Sequence, residues 1–240
     1  MSAPQFFVSR LVEGERVSLD PEDARHAVGS LRLRPGDAVR LADGRGAVST
    51  GLLVEAERGT AVLEVQGVEH VARPTVELSV AIAAPKGDRL SWAVQKLAEI
   101  GVDEVILLET ERSVRRWDPA RAAGALDRLA GVAREAAMQS RRPFVMRVGG
   151  PTSLSDVISG DASVVVLWER ADAALAGVLP SGTGDVRLVV GPEGGFAEAE
   201  VRRCVDQGAA TASLGEGILR TETAALAASV VALHHLQRLG

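Results

Sequence analysis

Two short segments near the C-terminal end carry the residues best suited to chemistry: Gly191-Pro-Glu-Gly-Gly195 and Leu214-Gly-Glu-Gly-Ile-Leu-Arg-Thr-Glu-Thr-Ala224. Each follows a short apolar run and precedes a helix-like run. Glycine lets the backbone approach a ligand closely. Two such turns at the ends of adjacent strands would make a pocket of main-chain amides and carbonyls, suited to a nucleoside-containing cofactor. In the first turn Pro192 fixes one backbone angle, Gly194 and Gly195 permit positive φ, and the amides can converge on a ligand where the next helix starts. Glu193 would repel a phosphate and suits a ligand that is cationic or rich in hydroxyls. In the second segment Gly215 and Gly217 loosen a turn that could read a flat base. Thr221 or Thr223 is placed to cap the helix, and Glu222 complements its positive end. Arg220 lies between Leu219 and that cap. It is expected to be partly solvated and to have a fixed partner, either an internal carboxylate or a bound anion. Ordinary tight turns and a capped helix would account for many of the same residues, so these segments alone define no function.

Other chemistries have less support. The chain has no G-x-x-x-x-G-K-[ST] loop, no obvious Mg²⁺-binding carboxylate pair and no G-x-S-x-G elbow. Gly215-Glu-Gly217 is incomplete as a dinucleotide fingerprint and lies at the wrong end of the chain. His26, His70, His234 and His235 lack metal-ligand spacing, and the last two would point about 100° apart on a helix. Cys204 is the only cysteine, so neither an intramolecular disulfide nor a cysteine metal site is possible. No metal is expected.

The elements that must position these segments fall into two regions. Residues 1–72 read as short strands and close turns, with strand-like runs at 16–19, 38–41, 52–54 and 61–65, a hairpin signal at Asp43-Gly44 and a single helix over 23–30. A small β-barrel is expected there, with His70–Pro74 as linker. Residues 73–240 alternate strand with helix. Strands are expected at 76–84, 104–108, 144–148, 163–168, 186–190 and 210–214. Helices are expected at 90–100, stopped by Gly101, then from Asp118-Pro119 to about Gln139, over 197–207 and over 221–239. Buried parallel strands joined by helices are the corresponding architecture. The last helix is apolar nearly all round, which fits either a core helix or one with a face against a second subunit.

The formal net charge is −5 at pH 7, which is not the signature of a nucleic-acid binder. Arginines nevertheless cluster at Arg25, Arg32 and Arg34, at Arg112, Arg115, Arg116 and Arg121, and at Arg141-Arg142. A solvated surface explains such clusters as readily as phosphate contacts do. The N-terminal residues show no signal-peptide pattern, and the longest uncharged apolar stretch, Thr223–Leu233, is too short to span a bilayer. A soluble, cytoplasmic protein is expected, with no membrane partner.

The two glycine segments, GPEGG and LG-x-x-x-LR-x-ETA, resemble at matching spacing the C-terminal signature of the RsmE-type 16S rRNA uracil-N3 methyltransferases of the SPOUT superfamily. The likeness extends to His26-Ala-Val-Gly-Ser-Leu-Arg32, to Lys86 with Gln95-Lys-Leu-Ala-Glu-Ile-Gly-Val102, and to Thr110-Glu-Arg-Ser113. It therefore covers essentially the whole chain. Three positions depart from the family pattern: Gly217 and Gln5 stand where an arginine is usual, and Met138-Gln139 where a Glu-Gln pair is common. The resemblance implies an N-terminal PUA-like barrel for RNA, a SPOUT α/β domain with a C-terminal trefoil knot, S-adenosyl-L-methionine as cofactor, and a homodimer acting on the small ribosomal subunit. It implies that Leu167, Val190, Gly191, Glu193, Gly194, Gly195, Leu214, Gly215, Ile218 and Leu219 line the cofactor pocket. Arg220 becomes the candidate for stabilising negative charge on the target base. Glu193 and Glu222 are possible proton acceptors, between which the sequence does not choose. His26, Arg32, Lys86, Arg112, Arg115, Arg116 and Arg141 become candidates for contact with rRNA.

Overall fold

The computed structural model describes residues 3–57, 59–113 and 117–239. They form two compact units. One comprises the chain up to Arg73 together with Ala137–Val145, and the other Pro74–Ala136 with the chain from Met146 onward. The sequence reading placed residues 137–145 in the second region.

The first unit is built on a five-stranded sheet. Its strands are β1 (Gln5–Phe7), β2 (Arg16–Ser18), β3 (Ala38–Ala42), β4 (Ala47–Glu57) and β5 (Thr60–His70), in the order β1-β3-β4-β5-β2. The Asp43-Gly44 signal marks the β3–β4 hairpin, in which the Asp43 carboxylate accepts from the amides of Arg45 and Ala47. β4 and β5 are longer than their apolar runs suggested, and register shifts at Ser49/Thr50 and Leu53/Glu55 break the strict alternation that would have shown it. The expected helix over 23–30 is instead a short helix α1 (Pro21–Arg25) followed by one π-helical turn, His26–Ser30. Alternate residues of the strands, including Val39, Leu41, Leu53, Leu63 and Val65, close over Phe6, Ala24 and Ala27 in one core.

The second unit is a six-stranded, all-parallel sheet. Its strands are β6 (Leu78–Ala83), β7 (Glu104–Glu109), β8 (Arg147–Ser153), β9 (Ser163–Leu167), β10 (Val186–Val190) and β11 (Ala210–Ala212), ordered β11-β9-β10-β6-β7-β8. The helices are α2 (Arg89–Ile100), α3 (Pro119–Gln139, of which residues 137–139 belong to the first unit), α4 (Leu154–Ile158), α5 (Leu175–Val178), α6 (Glu198–Asp206) and α7 (Thr221–His235). Every residue of β6 is buried, because the sheet is covered on both faces. Val80 and Ile82 pack with α2 and α7, whereas Ala81 packs with α4 and α6. The expected strand over 144–148 lies further on, at β8. That strand contains Gly149, Gly150 and Pro151, which disguise it in the sequence, and it tolerates proline because it is an edge strand. Beyond α7, Arg238 donates to both carboxylate oxygens of Asp103 and to the carbonyls of Val76 and Gly101, tying the chain's end to the strand openings of β6 and β7.

Strand order sets the site. From β6 the chain builds through β7 and β8 to one edge, then returns to build β9, β10 and β11 on the other side. The reversal falls between β10 and β6, whereas the cavity of the site lies beside it, beyond the carboxyl ends of β9, β10 and β11. Leu167 pairs in register with Val190 and with Ala212, so β9, β10 and β11 end at one level.

Candidate active site

Both glycine turns leave the sheet at that level. They enclose a cavity of about 240 Å³. Leu167, Val190, Gly191, Glu193, Gly194, Gly195, Leu214, Gly215, Ile218 and Leu219 all border it, so the structure brings together every residue that the sequence placed at a cofactor pocket. Trp168, Glu169, Phe196, Ser213 and Thr221 border it too. These were missed, because a tryptophan–glutamate pair after a strand carries no local signature.

The first turn is held from several sides. The Gly195 amide donates to the Pro192 carbonyl at 2.8 Å, with Gly195 at φ +67°. Gly191 is required for a different reason: a Cβ there would lie 2.9 Å from the buried Phe196 ring. Arg112 donates from Nη1 to the carbonyls of Gly194 and Phe196 at 3.1 and 3.4 Å. The loop carrying Arg112 is in turn fixed by Glu200. That buried carboxylate accepts from the amides of Glu111 and Ala197, each at 2.8 Å. It thereby joins the Thr110–Ser113 loop to the start of α6.

The second turn meets the first through one side chain. Thr221 Oγ1 donates to the Gly191 carbonyl at 3.0 Å. This corrects the capping expectation: the N-cap of α7 is Arg220, which makes no side-chain cap hydrogen bond, and Thr221 spends its hydroxyl on the neighbouring turn. Arg220 departs from expectation as well. It is exposed and has no protein partner among the described residues. Ile218, at 89% exposure, projects from the cavity's rim.

Glu222 does not border the cavity. Its side chain is 10% exposed and Oε1 lies 3.6 Å from Arg89 Nε, while Oε2 is buried without a hydrogen-bond partner. It faces α2, where it forms an ion pair with Arg89. Glu193 shares the same arginine: its Oε1 lies 3.9 Å from Arg89 Nη1, and it accepts from the Lys86 amide at 3.3 Å. Arg89 was missed by the sequence reading. The available signal was a cation in the first turn of α2, the end of a helix that disfavours positive charge.

The remaining basic candidates are dispersed along the chain. In the first unit, exposed His26 leans edge-on against Phe6 with ring centroids 6.5 Å apart. Arg32 and Arg141 there occupy left-handed backbone, at φ +56° and +57°, each just past a helical segment. In the second unit, Lys86 is exposed beside the first glycine turn. Arg115 and Arg116 lie outside the described residues.

Comparison with known proteins divides the chain near residue 72. Residues 72–233 match the family described as RNA methyltransferase domain, and residues 19–66 match the RNA methyltransferase PUA domain. Ribosomal RNA small subunit methyltransferase E of Mycobacterium tuberculosis is 34% identical over 239 residues, covering 95% of this chain and 90% of the relative. The Bacillus subtilis protein of that name is 31% identical, over 90% of this chain and 89% of its own. The crystal structure of the Neisseria gonorrhoeae ribosomal RNA small subunit methyltransferase E, bound to S-adenosyl methionine, superposes with a TM-score of 0.86 at 28% identity, covering 97% of this chain and 98% of that one. A Legionella pneumophila structure, described as a methyltransferase in complex with the cofactor SAM, gives 0.89 at 26% identity, with 98% of each chain covered. This chain belongs to the ribosomal RNA small subunit methyltransferase E family.

Proposed function

We propose that this protein methylates N3 of a specific uridine in the 16S rRNA of the small ribosomal subunit, with S-adenosylmethionine as donor. The observation that carries this reading is the cavity where β9, β10 and β11 end, walled largely by the backbones of two glycine turns. Its lining combines aliphatic side chains with the carboxylates of Glu169 and Glu193 and includes no basic side chain among the described residues. That donor set suits a cationic ligand with a flat base and ribose hydroxyls, and would repel a nucleoside triphosphate. Leu167, Val190, Leu214, Ile218 and Leu219 would supply apolar walls, and the amides and carbonyls of residues 191–195 and 214–215 the polar contacts. Bound there, S-adenosylmethionine supplies an electrophilic methyl group.

N3 of uracil carries a proton, and the neutral imide is a weak nucleophile. Positive charge near O2 or O4 lowers the cost of removing that proton. Arg220 is free to supply it, since no protein group among the described residues neutralises it and it follows the cavity-lining Leu219. The rest of the rate would come from holding the base and the methyl donor in line. Contacts with rRNA fall to Arg32, Arg141 and His26 of the first unit and to Lys86, Arg112, Arg115 and Arg116 of the second, with the five arginines meeting phosphates. The exposed apolar side chains of Trp92 on α2 and Val230 on α7 offer contact area for a homodimer. The C-terminal trefoil knot belongs to this reading, as does action in the cytoplasm; among the described residues no helix is long and apolar enough to cross a membrane.

The test is nucleoside mass spectrometry of 16S rRNA, taken from small subunits that lack this modification and incubated with protein and S-adenosylmethionine. The expected product is 3-methyluridine at one position. Cofactor binding without that product would move the assignment to another RNA or another atom.

A further inference from the structure

Arg89 occupies a position that neither its helix nor its solvent exposure explains. It opens α2, where the helix dipole disfavours a cation. Its guanidinium faces two carboxylates, Glu222 Oε1 at 3.6 Å and Glu193 Oε1 at 3.9 Å. One belongs to the first glycine turn, and the other to the first turn of the helix that follows the second. Both distances exceed the roughly 2.7–2.9 Å of a closed charge-assisted hydrogen bond, so the guanidinium is shared between the two instead of locked onto either.

The Glu222 side chain is nine-tenths buried, with Oε2 unpartnered. A buried carboxylate is costly unless a countercharge compensates it. Among the described residues Arg89 is the only basic side chain that pairs with Glu222 or with Glu193. It therefore links three segments, the β6–α2 connection, the first glycine turn and the start of α7. It does so without bordering the cavity.

We propose that Arg89 is a positioning residue: by bridging Glu193 and Glu222 it sets the separation of the two glycine turns, and so the affinity of the cavity for S-adenosylmethionine. The inference rests on the cofactor reading above but is tested separately from it. Calorimetry with S-adenosylmethionine would compare the wild type with Arg89→Ala, Arg89→Lys, Glu193→Gln and the Arg89→Ala/Glu193→Gln double variant. Amide hydrogen exchange of the cofactor-free proteins would be followed at residues 191–195 and 221–224.

Arg89→Ala should weaken binding about tenfold, and Arg89→Lys should recover part of the loss. The double variant should lose less than the two single losses combined, because both changes break one linkage. Exchange at both segments should quicken in cofactor-free Arg89→Ala. A generally destabilised protein would show neither the rescue nor the coupling. Wild-type affinity in Arg89→Ala, or strictly additive losses, would overturn the proposal. Absence of cofactor binding by the wild type would overturn the functional reading instead, and unchanged exchange at both segments in Arg89→Ala would then dispose of the positioning role. If Arg89→Ala fails to fold, Arg89→Lys and Glu193→Gln with their double variant give the same cycle.

Discussion

The two glycine turns border one cavity but are built in opposite ways. The first is braced by its own internal hydrogen bond, by Arg112 on two of its carbonyls, by Phe196 packed beneath Gly191, and by Arg89 and the Lys86 amide on Glu193. Of the second, residues 214–219 make no protein hydrogen bond among the described residues, and residues 215–220 are all exposed. Its attachment comes from Ser213, whose amide and carbonyl bond to Ala173 and Leu175, and from Thr221 at the other end. A braced wall offers ligand contacts whose ordering cost is already met by folding, whereas a wall of unpaired backbone must be ordered when the ligand arrives. The first turn thus reads as a preformed cradle, and the second as the wall that ligand and substrate complete. Arg220, at the end of the second, is available to the substrate because the protein makes no use of it.

The strongest test of this division is Arg220→Ala. If Arg220 serves the developing charge on the base, its loss should lower kcat about 10²- to 10³-fold, the range for removing one such donor. S-adenosylmethionine affinity should stay at the wild-type value in calorimetry. A loss of cofactor affinity equal to the loss of rate would show that Arg220 holds the wall instead of acting on the base.

Arg112 separates bracing from RNA contact. Arg112→Ala leaves the carbonyls of Gly194 and Phe196 without their guanidinium donor, and cofactor affinity should fall severalfold, in line with about 1 kcal/mol for a partly exposed hydrogen bond. If the guanidinium also meets a phosphate, the slope of log affinity for rRNA against log salt should shrink by roughly one unit. Arg112→Lys keeps the charge but loses the planar fork, so it should restore the salt slope before it restores cofactor affinity. Loss of both in parallel would merge the two roles.

Thr221→Val removes the link between the turns while preserving shape. It should cost about 1 kcal/mol, which lowers the melting temperature of a unit this size by roughly 2–4 °C. A variant that melts like the wild type would mean that the turns are held together by other contacts, Arg89 first among them.

How far the sequence revealed this site follows the same contrast. That the two glycine turns would share one pocket was legible because glycine-bearing turns after apolar runs mark strand ends, and parallel strands put those ends together; the full set of ten lining residues came from the family resemblance. The bracing was not. Glu200 staples a loop from far away in the chain, and at the α6 N-terminus the usual capping pattern is blunted by alanine at position 197. Thr221 looked like a cap because threonine before an apolar helix normally is one, and only the neighbouring Gly191 carbonyl redirects it. Glu222 was expected to complement the positive start of its helix; its burial against Arg89 depends on how α2 and α7 pack. In the first unit the hairpin at Asp43 was clear, while the bulges that interrupt β4 hid its length.

The smallest effect tests the ground beneath the first turn. Cys204 on α6 is fully buried in the cluster that also holds Phe196 and Val201. Burial, then the nearby Glu200 carboxylate, pushes its thiol pKa up, against the opposing charge of Arg203. The folded protein therefore holds this proton more tightly than the unfolded chain, in which a cysteine ionises at about 8.5. The stability associated with the neutral thiol is complete below that pH and is lost as pH rises through and beyond it. A thiolate-selective disulfide reagent at mildly alkaline pH should consequently leave Cys204 untouched in the native protein and modify it fully in denaturant. Its rate should track opening of α6, which packs against Phe196, and S-adenosylmethionine should slow it only slightly if the first turn is already formed. If Cys204 in the cofactor-free protein reacts like a free thiol and the cofactor suppresses that reaction, the first turn is no more preformed than the second.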